Sequence, residues 1–427
     1  MSQINSFDKL RVDGEQSRTI NLQPLKGFRD FLPQDAIKRN WLKQRLGTIF
    51  ENWGYDPIET PTLESLDLFK GLIGEDEKLF YSFKDRGDRN VVLRYDQTVP
   101  ACRVVALHQN DLVFPFRRYQ IQPNFRAENP QKGRYREFWQ VDADIWGVKN
   151  PLADAEVIAL SLDTYRKLGF KKVKARINNR SLLRDFPYEV LSCVDKLGKI
   201  GKDGVLEQIQ KKGFSKSEAQ GFLERVQDLK KDETLEAIFS VLSVYGFDKD
   251  WFVFDPCIVR SFAYSDGTIW EIEIPGYEGG SVLGGERYDN LVYKISGKDI
   301  VGTGFGLGFD RTLEACEQFG LVPNVKTTTK VLVTVFSKEL LSKSIEAAQR
   351  LREGGVSVEL FPDPAVKLDK QLKYADKRGI SFAVIIGPEE AKQGSVTLKN
   401  LATGEQRVIE INQVTSLLIA QSAKCKT

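Results

Sequence analysis

The chain has 427 residues, enough for two to four domains at roughly 150 residues each. A formal net charge of +3, with 28% charged and 41% hydrophobic residues, is ordinary for a globular chain and excludes a wholly basic nucleic-acid coat. One histidine (His108) and five scattered cysteines with no Cys-x-x-Cys exclude a His/Cys metal centre, so any catalysis falls to carboxylates, arginines and backbone dipoles.

The first 20 or so residues are polar and read as a loose tail. No leader of basic plus apolar character opens the chain, and no apolar run of about 18 residues follows. No membrane partner is therefore expected, and the cysteine usage fits a reducing, cytoplasmic setting. Residues 35–53 read as a helix, with Ile37, Trp41, Leu46 and Ile49 at helical spacing, ended by Gly54. Residues 91–94 read as a short strand and 99–107 as a helix. Residues 118–124 and 137–145 read as two strands joined by a loop, and 154–168 as an amphipathic helix stopped by Gly169.

From about 189 to 246 the composition turns to Lys, Glu, Gln and Leu at helical spacing, the pattern of a helical insertion. Strands return after Trp251; in 268–274, Trp270, Ile272 and Ile274 alternate with Glu271 and Glu273. Glycine-rich stretches follow at 279–285 and 302–308. Residues 324–330 lack any period and read as a linker. Beyond it come a strand at 331–336 and a helix capped by Ser337 and running to 353. A strand at 356–360, a helix at 367–378, a strand at 382–386 and a hairpin turned at 402–405 complete a small α/β unit. The expected division is a tail (1–21), a main domain (22–325) holding the insertion, and a C-terminal α/β domain (326–427).

Charge is uneven along the chain. Residues 117–136 hold six Lys/Arg (Arg117, Arg118, Arg126, Lys132, Arg134, Arg136) against the single acid Glu128, which suggests a phosphate-bearing ligand there. Residues 326–427 hold 16 Lys/Arg against 11 Asp/Glu, a mildly basic end. A solvated charged face is the bland alternative for both.

The stretch Asn124-Phe-Arg-Ala-Glu-Asn-Pro-Gln-Lys-Gly-Arg-Tyr-Arg-Glu-Phe-Trp-Gln140 carries the strongest chemical signal. It reads as a hairpin with Arg126 and Glu128 near one end and Phe138 on the returning strand. An arginine fork gives bidentate bonds to phosphate, a carboxylate accepts from a purine amino group, and a ring face stacks on a base. The set can hold a nucleotide without a Walker loop.

This stretch resembles motif 2 of the class II aminoacyl-tRNA synthetases, and its Gln-Lys-Gly-Arg-Tyr-Arg-Glu-Phe form is similar to the histidyl-tRNA synthetase family. Lys26-Gly-Phe-Arg-Asp-Phe-Leu-Pro resembles that family's N-terminal signature. Trp53-Gly-Tyr-Asp-Pro-Ile-Glu-Thr-Pro-Thr-Leu-Glu resembles motif 1, usually a dimer-forming element. Leu93-Arg-Tyr-Asp-Gln-Thr-Val-Pro resembles the block gripping the substrate amino group, and Gly304-Phe-Gly-Leu-Gly-Phe-Asp-Arg311 resembles motif 3. Leu372-Lys-Tyr-Ala-Asp-Lys-Arg-Gly-Ile and Val396-Thr-Leu-Lys-Asn-Leu resemble the anticodon-binding domain.

The resemblance implies an α/β chain: an α+β catalytic domain with an antiparallel sheet flanked by helices, a helical insertion, and a C-terminal α/β anticodon-binding domain. It implies a histidine–tRNA ligase that uses ATP, with Mg2+ bound mainly through the ATP phosphates. Histidine and histidine tRNA (acceptor end and anticodon) are the implied partners, and a homodimer the implied assembly. Catalysis falls to Arg126, Arg260 and Gln140, with no protein metal ligands. Arg126 holds the carboxylate and α-phosphate, Glu128 the adenine amino group, and Phe138 the ring; Arg134 and Arg311 meet the outer phosphates. Asp96, Thr98 and Gln140 hold the α-ammonium, Arg260 meets the α-phosphate, and Asp144, Tyr264 and Tyr288 face the side chain.

One block departs from the family pattern Arg-Gly-Leu-x-Tyr-Tyr-Thr-Gly-Thr: this chain reads Arg260-Ser-Phe-Ala-Tyr-Ser-Asp-Gly-Thr268. Ser265 stands at the second tyrosine, Ser261 at a glycine, and Glu286 enters a usually glycine-rich turn. Tyr264 or Asp266 can compensate for the lost ring. Three other readings are a regulatory subunit of ATP phosphoribosyltransferase, a tRNA-sensing pseudo-synthetase and an inactive RNA-binding scaffold. The first normally lacks the C-terminal domain, and the second usually loses the motif 2 and 3 arginines. The retained nucleotide set argues against the third. His108 lies outside the motifs and reads as structural.

Overall fold

A computed structural model describes residues 21–72, 74–130, 133–260 and 264–424. Residues 1–20 of the expected tail, Lys132 and Ser261 lie outside the described residues. In chain order, α1 (Pro33–Asn52) leads to β1 (Asp56–Pro57), β2 (Leu63–Ser65), β3 (Ser82–Lys84) and β4 (Asn90–Leu93). Then come α2 (Thr98–Leu107), β5 (Phe116–Phe125), β6 (Glu137–Trp146), α3 (Leu152–Leu168) and β7 (Lys174–Asn179). Gly169, at φ +105°, ends α3 in the left-handed conformation that favours glycine.

The helical stretch is α4 (Tyr188–Val194), α5 (Leu197–Lys211), α6 (Lys216–Gln227) and α7 (Glu233–Val244). After it follow β8 (Phe252–Phe254), β9 (Thr268–Glu273), β10 (Leu283–Arg287), α8 (Leu291–Ser296), β11 (Gly302–Gly308) and α9 (Phe309–Gln318). The C-terminal unit holds β12 (Val331–Val333), α10 (Leu341–Glu353), β13 (Val358–Leu360), α11 (Leu368–Arg378) and β14 (Phe382–Ile385). It ends with α12 (Pro388–Gln393), β15 (Ser395–Asn400), β16 (Gln406–Glu410) and α13 (Ile411–Lys424).

Eight strands form one sheet in the order β1-β5-β6-β11-β10-β9-β7-β8. Pairs from β5 to β7 are antiparallel, while the edge strands β1 and β8 pair parallel to β5 and β7. Strand alternation gives this sheet two different faces. Val141, Ala143, Ile145, Trp270, Ile272, Phe305 and Leu307 point to one side and join α1, α3, α7 and α9 in a single core. Gln140, Asp142, Glu271, Gly304, Gly306 and Gly308 occupy the intervening positions and face the other side. The sheet is thus a wall between a hydrophobic core and a polar cleft.

Two expectations change. The helical stretch packs in two parts: Leu235, Ile238 and Leu242 of α7 belong to the main core against α3, whereas Val190, Val205, Ile209, Leu223 and Val226 of α4–α6 build a separate core. An apolar stripe shows that a helix is buried, not against what. Ser337 does not cap the next helix; α10 begins at Leu341, and Ser337 opens a preceding turn in which its carbonyl accepts from Leu340 N–H at 3.3 Å. The C-terminal sheet runs β13-β12-β14-β15-β16, parallel on one side and antiparallel on the other, over its own core with α10 and α13.

Candidate active site

The β5–β6 hairpin sets Asn124 opposite Phe138 and Phe125 opposite Glu137, and Arg126 N–H continues the ladder to Arg136 O at 2.9 Å. The Arg126 guanidinium sits 4.2 Å from the Tyr95 ring centre and 5.0 Å from that of Phe138, with Nε donating to Tyr95 O at 3.3 Å. Glu128 accepts from Arg134 at 3.4 Å.

The basic run is not one phosphate-binding surface. Arg117 pairs with Glu156 at 2.7 Å, Arg118 is wholly buried against Asp144 at 2.7 Å, and Arg136 donates to the carbonyls of Glu128 and Lys26. Of the described Lys/Arg in that run, only Arg126 and Arg134 line the cleft. A local count of charge cannot tell which strand face each residue takes.

The cleft has a volume of about 820 Å³. It brings together Arg126, Glu128, Arg134, Phe138 and Arg311 with Asp96, Thr98, Gln140, Arg260 and Tyr264. Glycines on the cleft face of the sheet are seats for these side chains. A Cβ on Gly284 would collide with the Arg260 guanidinium, and one on Gly304 with the Asp144 carboxyl. A Cβ on Gly306 would lie 2.8 Å from Gln140 Nε2. The period-2 glycines of 302–308 were the sequence signal for this floor. Arg311, in the first turn of α9, donates to Ser281 O at 2.9 Å.

The β4–α2 connection is fixed by residues that motif reasoning left without roles. Buried Arg94 donates to Pro123 O at 2.7 Å, Thr60 O at 2.8 Å and Pro61 O at 3.1 Å. Gln97 Nε2 donates to Gln122 O at 2.8 Å and Gln140 O at 3.0 Å. These bonds hold Asp96 and Thr98 beside β6. Asp96 accepts from Val99 N–H at 3.0 Å; burial pushes its carboxyl up, against the pull of that N–H and of Arg126.

Asp144 and Tyr288, expected to face the amino-acid side chain, lie behind the cleft surface. Both are 2% exposed; Tyr288 donates its hydroxyl proton to Asp144, which also meets Arg118 at 2.7 Å. Neighbouring Asp142 accepts from Gln140 Nε2 at 2.8 Å, and burial pushes its carboxyl up to about 7 against the opposing charge of Arg118. Tyr264 lies in the cleft, edge-on to Tyr288 at 6.4 Å.

Arg260 is one of two non-glycine residues with positive φ among the described residues, at +56°. Its guanidinium bonds Glu271 at 3.2 Å. Ser265 is buried beside cleft-lining Glu286, whose carboxyl burial pushes up while the Arg260 and Arg180 guanidiniums pull it down. Asp266 accepts from Asn290 N–H at 2.9 Å, a turn contact, and does not line the cleft. His108 ends α2 half exposed, 3.4 Å from Asp111, outside the cleft.

Comparison with known proteins agrees with this arrangement. A family profile described as "Histidyl-tRNA synthetase" matches residues 27–190 and 204–312, and one described as "Anticodon binding domain" matches 330–421. The histidine–tRNA ligase of Cytophaga hutchinsonii is 35% identical, over 92% of this chain and 98% of that protein. That of Rhodopirellula baltica is 37% identical, over 91% and 95%. The crystal structure of histidyl-tRNA synthetase from Nostoc sp. PCC 7120 superposes with a TM-score of 0.82 at 28% identity, covering 94% of this chain and all of that one. With its 124–140 hairpin, glycine floor and C-terminal unit all inside these matches, the chain belongs to the histidyl-tRNA synthetase family.

Proposed function

We infer that the chain is a histidine–tRNA ligase, which activates histidine with ATP to the adenylate and transfers it to the 3′ end of histidine tRNA. One observation carries the reading: a single cleft joins the nucleotide set Arg126, Glu128, Phe138 and Arg311 to the ammonium-binding set Asp96, Thr98 and Gln140. Activation requires the histidine carboxylate to attack the α-phosphorus of ATP and expel pyrophosphate. No protein nucleophile is needed, so rate comes from positioning and charge neutralisation. In this reading Arg126 and Arg260 meet the α-phosphate, Arg134 and Arg311 the outer phosphates, and Phe138 the adenine face.

Asp144 and Tyr288 then act from behind the surface, by fixing the wall that the imidazole meets. Tyr264, Ser265 and Glu286 close that end of the cleft, and a carboxylate there suits a ring N–H donor. Mg2+ binds in this reading mainly through ATP, where it supplies charge neutralisation. The donor set fits that role: of the described carboxylates lining the cleft, Glu128, Glu271 and Asp310 are engaged by Arg134, by Arg260 and by both Arg29 and Arg39, Asp96 accepts from Val99 N–H, and Glu286 faces the charges of Arg260 and Arg180.

We also propose the division into a tail (1–21), a catalytic domain (22–325) and an anticodon-binding domain (326–427). The homodimer is proposed to form through the motif 1 segment, whose β1 lies at the edge of the eight-stranded sheet. Among the described residues no helix is long and apolar enough to cross a membrane, and a cytoplasmic location is proposed with it. The deciding experiment is pyrophosphate exchange into ATP with each of the twenty amino acids. Exchange with histidine alone is expected; exchange with none would sink the reading, and exchange with another amino acid would show that Ser265 and Glu286 have changed specificity.

A further inference from the structure

A non-glycine residue at φ +56° is uncommon, so the backbone of Arg260 calls for surroundings that hold it there. The clamp comes from the helical insertion. Asp195, the residue that ends α4, accepts from both Val259 N–H and Arg260 N–H at 3.0 Å through one oxygen, Oδ1. A second contact is independent of it: the Val259 side chain, 1% exposed, is part of the core built by α4–α6. Loop backbone and loop side chain are therefore both fastened to the insertion, immediately before the arginine that reaches over Gly284 into the cleft. Asp195 also lies within the stretch 191–203 that the family profile leaves unmatched.

We propose that Asp195 is a positioning residue for Arg260, and that a function of the α4–α6 insertion is to hold the catalytic arginine in place. The proposal rests on the reading of Arg260 as a group acting at the α-phosphate. Two N–H donors converging on one carboxylate oxygen fix the peptide plane before Arg260 and so the direction in which its side chain leaves. A shift of about 1 Å in such a group costs on the order of 10²-fold in rate, without weakening the rest of the binding site.

The test uses the full-length protein, with Asp195→Ala and Asp195→Asn. Asparagine keeps an Oδ1 acceptor for both N–H groups; alanine keeps none. Histidine-dependent pyrophosphate exchange should lose ~10–100-fold in kcat for Asp195→Ala, with KM for ATP and histidine within about twofold. Asp195→Asn should stay within about threefold of the parent, and Asp195→Ala added to Arg260→Ala should slow the reaction no further. Amide hydrogen exchange at Val259 and Arg260 should quicken in Asp195→Ala and return to the parent rate in Asp195→Asn. Unchanged amide exchange, an asparagine variant as slow as the alanine one, or multiplicative losses in the double variant would each overturn the proposal. If the amides quicken while Arg260→Ala itself leaves the rate unchanged, the clamp stands and the catalytic reading of Arg260 is what fails.

Discussion

The Arg260 guanidinium fills the space over Gly284 that a Cβ at that position would occupy. The two residues lie 24 positions apart, on a loop and on β10, and neither explains itself alone. The glycine is required because the arginine has to cross it to reach the cleft.

Gly284→Ala should therefore act as a mild form of Arg260→Ala. The clash is with the far end of a flexible side chain, so Arg260 is pushed aside and the fold survives. Activation should fall by ~10²–10³ in Arg260→Ala, as for loss of one transition-state donor, and by less in Gly284→Ala, and the double variant should be no slower than Arg260→Ala alone. Exchange kinetics with a thermal melt as control decide it; a Gly284→Ala enzyme at the parent rate would remove the role given to Arg260.

Arg126→Lys should be nearly as damaging as Arg126→Ala. The guanidinium lies between the rings of Tyr95 and Phe138, and a lysine keeps the charge but loses the planar fork and the stacking. Loss of ~10²-fold in kcat/KM for ATP is expected, as for removal of a charge-assisted pair. A lysine enzyme within threefold of the parent would argue that only charge matters there.

Asp142 gives the protein a pH dependence with a defined sign. Burial raises its carboxyl to about 7, so between about 4, where it titrates when unfolded, and about 7 the folded chain binds more protons than the unfolded one. Its contribution to stability is thus largest in acid and is lost as pH rises through that window. Asp142→Asn imitates the protonated acid and should reduce the fall in melting temperature between pH 5 and pH 8. Equal falls in parent and variant would show that Asp142 ionises freely in the fold.

Tyr288→Phe removes the hydroxyl that donates to buried Asp144 and leaves Arg118 as its remaining charged partner. A hydrogen bond to a charged group contributes about 1.5–3 kcal/mol, so denaturant unfolding should register a loss of that order. The KM for histidine should rise with it, while the KM for ATP stays put. A variant as stable as the parent would show that this buried hydrogen bond adds nothing to the net stability.

Truncation after residue 325 tests the proposed division. The C-terminal unit has its own core, so the remaining chain should still exchange pyrophosphate with histidine while charging of histidine tRNA drops by more than tenfold. Loss of both activities together would show that the two parts are energetically one.

The sequence by itself determined several of the local elements and the side-chain chemistry present. Alternation in 268–274, the caps at Gly169 and Gly54, and the hairpin from Asn124 to Gln140 are local patterns, governed by backbone geometry within a few residues, and they reappear in the fold. The grouping of Arg126, Glu128 and Phe138 was legible for the same reason, since they share one hairpin and line one cleft. What only the tertiary structure decided depends on which strand face meets which partner. It buried Arg118 under Asp144, moved Asp144 and Tyr288 behind the cleft wall, split α7 from the rest of the insertion, and brought Asp195 to the backbone of Arg260. Those contacts join residues far apart in the chain, and no periodicity records them: they exist only once burial of the core has fixed how the sheet and the helices stack.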